Sequence, residues 1–303
     1  MRYVHLRRVT RLWSATALLL AWAVSADAGA QAAFKVAAPP SRPRLYVFDC
    51  GLINVNRAGT ERYNVTPEEV AETRFSVPCF LVAHPRGTLI WDLGVVPDDT
   101  VEARARGEVG NPTATAEAIT PVKRTLRSQL AEVGYRPEDV TYFAISHAHG
   151  DHVANANLFA GSTWLARPAE RAFMWQEGNA RVNPTFFDRI ERSKTIGLDN
   201  DEYDVFGDAT VVIKAAPGHS PGHQVLVLEL ASTGRIMLAG DLYHYPEERT
   251  LHREPPATEF SVQQSAASRA MIEAYLLSTK TEIWIEHDFV ANAKLKKAPL
   301  YYD

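Results

Sequence analysis

Residues 140–152 read Val-Thr-Tyr-Phe-Ala-Ile-Ser-His-Ala-His-Gly-Asp-His. The apolar run Val140–Ile145 has the composition of a short buried strand. It ends in four side chains able to bind a metal: His147, His149, Asp151 and His152. Imidazole nitrogen and carboxylate oxygen are the ligands that borderline cations such as zinc accept. They can converge only if the chain turns sharply after the strand, and Gly150 permits that turn. The chain has ten histidines, and three of them fall in this one hexapeptide. That density is hard to explain as a polar loop facing solvent.

Outward from this stretch the pattern recurs. The run Val211–Ala216 leads into Pro217-Gly-His219-Ser-Pro-Gly-His223, Ile236–Leu238 into Ala239-Gly-Asp241, and Ile283–Ile285 into Glu286-His287-Asp288. Loops at strand ends are where a rigid sheet holds chemistry in register. Singly, His219 reads as a turn histidine, Asp241 as a helix cap and His287 as a surface residue. Together they are three further candidate ligands, all emerging from apolar strands. Asp92, ending Leu89-Ile-Trp-Asp92, is placed to accept a hydrogen bond from a ligand imidazole. His223 is expected to be structural or to stand behind a ligand.

The remaining elements follow from periodicity. Strands are expected at Arg44–Phe48, Ser76–Ala83, Thr88–Trp91, Ser162–Ala166, Thr210–Ala215, Gln224–Leu230 and Glu282–Ile285, with a hairpin turn at Pro85-Arg-Gly87. Helices are expected at Pro121–Val133, Ala169–Trp175 and Val262–Leu277. Residues 176–205 read as irregular, anchored by Phe186, Phe187 and Ile190. Two packed sheets covered by helices is the α/β architecture this order suggests.

The N-terminus reads differently. Arg2, Arg7, Arg8 and Arg11 precede the apolar run Leu12–Val24 and the small residues Ala26–Ala30, so residues 1–30 read as a secretory signal peptide and 31–43 as a linker. A single domain at 44–303 follows, and the expected location is periplasmic or secreted. Cleavage would remove four arginines and one aspartate, taking the net charge from −4 to −7. An acidic chain of that kind is a poor backbone binder, so no nucleic-acid partner is expected. No second segment is apolar and long enough to span a bilayer. Cys50 and Cys79 could pair in an oxidising compartment or remain buried thiols.

With these residues in place, the set His147-x-His149-x-Asp151-His152, His219, Asp241 and His287 resembles the metallo-β-lactamase superfamily across essentially the whole expected domain. The resemblance implies an αββα sandwich of two mixed β-sheets flanked by helices and two divalent metal ions, zinc by default. His147, His149 and His219 would hold one ion, Asp151, His152 and His287 the other, with Asp241 bridging. Leu45–Gly51, Pro217–His223, Gly240–His244, Trp284–Asp288 and Leu295–Tyr302 are similar to the N-acyl-homoserine lactonase group. That group opens the lactone of quorum-sensing signals by hydroxide attack on the ester carbonyl. By this resemblance, the partner is a small acyl lactone, Asp151 also moves a proton, and a tyrosine after the bridging aspartate binds the carbonyl oxygen. Members place it three residues on, whereas this chain has Tyr243 at two and His244 at three; Tyr243 is assigned the role. Residues 95–120 and 176–205 would cover the substrate, with Val95, Val96, Trp175, Phe186 and Phe187 as apolar wall. The rival readings are a β-lactamase, a glyoxalase II-like thioesterase, a promiscuous esterase, or a scaffold without activity. A homodimer is compatible with all of them.

Overall fold

A computed structural model describes residues 1–2, 34–108, 122–179 and 181–303, and the backbone of 119–120. Most of the expected leader, the first part of the linker and Pro121 therefore lie outside the described residues. Lys35–Asp303 form one compact unit. Among the described residues, no helix is long and apolar enough to cross a membrane.

Among the described residues, twelve strands form two sheets. In chain order they are β1 (Arg44–Ile53), β2 (Phe75–His84), β3 (Gly87–Trp91), β4 (Ile119–Thr120), β5 (Tyr142–Ala144), β6 (Thr163–Ala166) and β7 (Thr195–Gly197), then β8 (Glu202–Asp204), β9 (Val211–Ala215), β10 (Gln224–Leu230), β11 (Gly234–Leu238) and β12 (Glu282–Trp284). The first sheet runs β4-β1-β2-β3-β5-β6-β7 and the second β12-β11-β10-β9-β8. Both are mixed. In the first, β3, β5, β6 and β7 are mutually parallel. In the second, β11 and β12 are parallel while β10 runs against both β9 and β11.

Alternation along the strands explains the layers. Successive side chains point to opposite faces, and β2 is buried along its whole length because both of its faces are covered. Phe80 and Val82 join Val47, Trp91, Leu226, Leu228 and Leu238 between the sheets. Cys79, Leu81 and Ala83 turn the other way, toward Leu126 and Leu130 of the helix Leu126–Glu132 and toward Phe173 and Met174 of the helix Pro168–Met174. On the far side, Val225, Val227 and Met237 pack on Ile272 and Leu276 of the helix Val262–Thr279. Four layers result, helix–sheet–sheet–helix, as an αββα sandwich.

Several elements differ from the sequence expectation. The helix expected at Pro121–Val133 begins at Leu126, because the Thr125 side chain accepts from the Ser128 N–H at 3.0 Å and buried Asp98 accepts from the Leu126 and Arg127 N–H groups at 2.6 and 2.9 Å. The stretch 176–205 contains β7 and β8, three-residue strands too short and too exposed to show period-two alternation. Cys50 and Cys79 are joined in a disulfide between β1 and β2, their Cα atoms 5.8 Å apart.

The topology positions the site. β5, β9, β11 and β12 each end where a candidate ligand loop begins. Parallel order within each sheet brings those ends to one edge. Gln224 stitches the sheets together there: its backbone N–H donates to the Ser146 carbonyl at 2.9 Å and its side-chain amide to the Ile145 carbonyl at 2.9 Å.

Candidate metal centre

The strand-end loops bring all seven expected ligand side chains together. His147, His149, His219 and Asp241 form one group of converging donor atoms, and Asp151, His152 and His287 a second. Asp241 faces both. Its Oδ2 lies 3.4 Å from His219 Nε2 and 3.7 Å from His147 Nε2, while its Oδ1 lies 3.2 Å from both His152 Nε2 and His287 Nε2. Asp151 Oδ2 closes the second group, 3.4 Å from His287 Nε2 and 3.7 Å from His152 Nε2.

Two glycines let the loops come so close. Gly218 sits at φ +142°, where a Cβ would fall 2.2 Å from the Ser265 backbone nitrogen. Gly240, at φ +50°, packs where a Cβ would meet Ser146 Cβ at 2.6 Å. Asp92 is a non-glycine residue at φ 53°, a conformation that costs free energy unless its surroundings enforce it. Its Oδ1 accepts from the Ser146 N–H at 2.6 Å, which anchors the start of the histidine loop.

Behind the converging nitrogens lies a ring of fixed partners. His147 Nδ1 meets Ser146 Oγ at 3.1 Å, and His287 Nδ1 meets the Ser76 carbonyl at 2.9 Å. His219 Nδ1 faces Glu259 Oε2 at 3.3 Å, and His152 Nδ1 faces Asp92 at 3.3 Å and Glu286 at 3.4 Å. Such partners set the tautomer of a ligating imidazole and raise its basicity. Glu170 ties two loops together, accepting from the Ala148 N–H at 2.7 Å, the Ser220 hydroxyl at 2.6 Å and the Gly222 N–H at 2.8 Å. His223 donates from Nδ1 to the Ala216 carbonyl and accepts the Asp241 N–H at Nε2, as its expected structural role requires.

Electrostatics favour a cation here. Burial, together with neighbouring imidazoles, holds His147 and His149 well below the usual histidine range, so both are neutral with lone pairs available. Burial also pushes the Asp241 carboxyl up, but His287, His152 and His147 outweigh it and hold that group ionised. His219 Nε2 lies 2.9 Å from His149 Nδ1 and 3.1 Å from His147 Nε2. Inward lone pairs crowded this closely repel one another unless a cation lies between them. His152 Nε2 and Asp241 Oδ1 are buried with no hydrogen-bond partner. Imidazole and carboxylate donors in this arrangement suit zinc, and equally other divalent ions that accept nitrogen and oxygen.

The centre forms the floor of a cleft of about 740 Å³, with Ile53, Val55, Phe75, Val95 and Phe186 among its apolar walls and Tyr63, Arg62 and Arg181 also lining it. Of the wall residues expected from sequence, Val95 and Phe186 are present. Val96 packs instead with Val77 and Val101, while Trp175 and Phe187 join the core beneath the first sheet.

Tyr243 is a correction. Its hydroxyl donates to Glu273 Oε1 at 3.1 Å, Arg269 lies 4.4 Å over its ring, and it lines a separate cavity behind the site. The chain leaves a tight turn at Gly240–Leu242 and becomes extended at Tyr243 (φ −140°, ψ 140°), so neighbouring side chains point to opposite faces. His244 takes the inner face, its Nε2 3.6 Å from Asp241 Oδ2 and its ring 4.4 Å from that of Tyr63. Glu248 lies 3.4 Å from His244 Nδ1 and is itself paired with Arg269 at 2.6 Å. Burial alone would lower the His244 pKa, but Glu248 and Asp241 reverse this and raise it.

Comparison with known proteins places this geometry. The pattern of the metallo-beta-lactamase superfamily matches residues 73–280. The N-acyl homoserine lactonase AttM of Azorhizobium caulinodans is 28% identical over 272 residues, covering 86% of this chain and 98% of that protein. An N-acyl homoserine lactonase of Bacillus cereus is 26% identical over 271 residues, covering 85% and 98%. Among solved structures, an N-acyl homoserine lactone hydrolase with N-hexanoyl-L-homoserine at its catalytic metal centre superposes with TM-score 0.66 at 23% identity, covering 85% of this chain and 98% of that one. The dizinc quorum-quenching lactonase AidC does so with TM-score 0.56 at 17% identity, covering 86% and 94%. With its sandwich of mixed sheets and the matched span across most of its length, the chain belongs to the metallo-beta-lactamase superfamily.

Proposed function

We propose that this protein is an exported metal-dependent hydrolase that opens the ring of N-acyl-homoserine lactones. The observation that carries the reading is Asp241, whose two oxygens face two separate groups of imidazole and carboxylate donors at the floor of an apolar-walled cleft. His147, His149 and His219 would hold one divalent cation, Asp151, His152 and His287 a second, with Asp241 shared; zinc is the default. Bound there, the pair would supply Lewis acidity and lower the pKa of water toward neutrality.

The side chains supply the rest. Asp151, 18% exposed, is the ligand carboxylate most open to the cleft and is placed to take up and return a proton. His244 lines the cleft where the family resemblance calls for a tyrosine, and its ring is held by Glu248. It takes over the role of contacting the scissile ester. Ile53, Val55, Phe75 and Phe186 would receive an acyl chain, since burial of apolar surface is what such a wall offers. The lactonases among the relatives support this substrate class. The basic, apolar, small-residue order of residues 1–30 and the Cys50–Cys79 disulfide support export.

One metal-quantified preparation assayed against hexanoyl-homoserine lactone, nitrocefin and an acyl thioester tests the reading. Ring opening of the lactone that chelation abolishes and zinc restores is the expected result. Turnover of nitrocefin or the thioester with none of the lactone would move the assignment elsewhere in the superfamily.

A further inference from the structure

Glu286 precedes His287 at the end of β12, yet its side chain points away from the cleft. It is about 1% exposed, with Oε1 3.4 Å from His152 Nδ1. Asp92 Oδ2, fully buried, lies 3.3 Å from the same nitrogen. This one imidazole nitrogen thus faces two buried carboxyl groups as well as the Ser146 hydroxyl, 3.2 Å away. Among the described residues, neither has a lysine or arginine partner, and Asp92 Oδ2 and both Glu286 oxygens lack any hydrogen bond. The corresponding arrangement at His219 uses one carboxylate, Glu259, which is also held by the Ser265 hydroxyl at 2.8 Å.

Such a cluster is unfavourable for folding by itself. Buried carboxyl groups lose hydration, and only well-placed partners offset the loss. An apolar side chain of similar volume would usually be neutral or stabilising there. The cost has a return if a cation sits on the other face of the imidazole. Carboxyl groups behind His152 take up its Nδ1 proton, fix the direction in which Nε2 points and so strengthen the hold of that nitrogen on positive charge.

The geometry points to Glu286 as a positioning residue that, with Asp92, clamps His152 and makes the Asp151–His152–His287 half of the centre the tighter of the two cation positions. This rests on the two-metal reading above. Glu286→Leu removes the polar contacts while keeping the volume. It should weaken one zinc of two by about 10–100-fold in a chelator competition, the effect usual for losing an outer partner of a metal ligand. In the metal-free protein the same substitution should raise the melting temperature. Glu286→Gln, which keeps hydrogen-bonding atoms, should recover part of the affinity.

A purely structural Glu286 would give the opposite signature, a lower melting temperature without metal and two zinc ions held as tightly as before; that overturns the inference. If the leucine variant does not fold, the wild-type protein decides. Crystals loaded with one equivalent of zinc should show anomalous density beside His152, and density beside His147 instead overturns the assignment. Wild-type protein holding no metal at all would defeat the two-metal reading itself, a result distinct from either of these.

Discussion

The backbone N–H of Asp241 donates to His223 Nε2 at 3.1 Å, while Nδ1 of the same ring donates to the Ala216 carbonyl at 3.0 Å. This ring is neutral, its pKa lowered to about 4, first by burial and then by His219. It spans two strand-end loops and holds the residue that faces both halves of the centre. His223→Ala leaves a buried N–H and a buried carbonyl without partners and should cost about 2–3 kcal/mol. Denaturant unfolding of the metal-free variant checks the value, and metal retention should fall with it.

Tyr243 and His244 separate by their faces. Tyr243→Phe removes a hydroxyl bonded to Glu273 behind the site, so kcat/KM on an acyl-homoserine lactone should stay within about threefold of wild type. His244→Ala opens the cleft wall and removes the ring nearest Asp241, and kcat should fall by roughly 100-fold. Steady-state kinetics on the two variants distinguishes this from an active Tyr243, which would reverse the order.

The convergence of the seven side chains was legible because each polar residue interrupts the end of an apolar run, and a sheet fixes what its strand ends share. The four layers were legible for a related reason: Val225, Leu226, Val227 and Leu228 show the strand, and two apolar faces require two covers. Glu170, Glu259 and Glu286 were not legible as site residues. Nothing local says which imidazole nitrogen a distant glutamate will face, and Glu286 alone carried a hint, its place beside His287. The direction of Tyr243, which turns to Glu273 and not to the cleft, was not legible because a single extended residue after a tight turn decides which of two neighbours points inward. The cleft wall was only half legible, since Ile53, Val55 and Phe75 come from β1, its following loop and the start of β2, which no local pattern links to the histidine loop.

The disulfide closes a separation of 29 residues and joins two neighbouring strands. Loop-closure entropy of that size corresponds to ~3–4 kcal/mol. The Cys50→Ala, Cys79→Ala double variant should lose about that much stability in denaturant unfolding. Val95, whose N–H donates to the Cys50 carbonyl, lines the cleft, so KM should rise more than kcat falls.

Lys297 donates to Asn292 and is half-buried, and burial lowers its pKa from 10.5 to about 8, against a smaller opposing pull from Asp49. The unfolded chain therefore binds more protons than the folded one between those two values. Stability from this group is lowest below pH 8 and rises as pH climbs toward 10.5. Lys297→Met should remove that slope. Unfolding free energies of wild type and variant at pH 7.5 and pH 10 should converge at the higher pH, and a gap that widens would contradict the assignment.

The most direct test is the rate of hexanoyl-homoserine lactone opening as zinc is returned in steps to fully metal-free protein. Activity should be absent without metal, rise with loading and level off at two equivalents per chain. Turnover that persists after complete metal removal, or never appears at any loading, would contradict a two-cation centre acting on lactones.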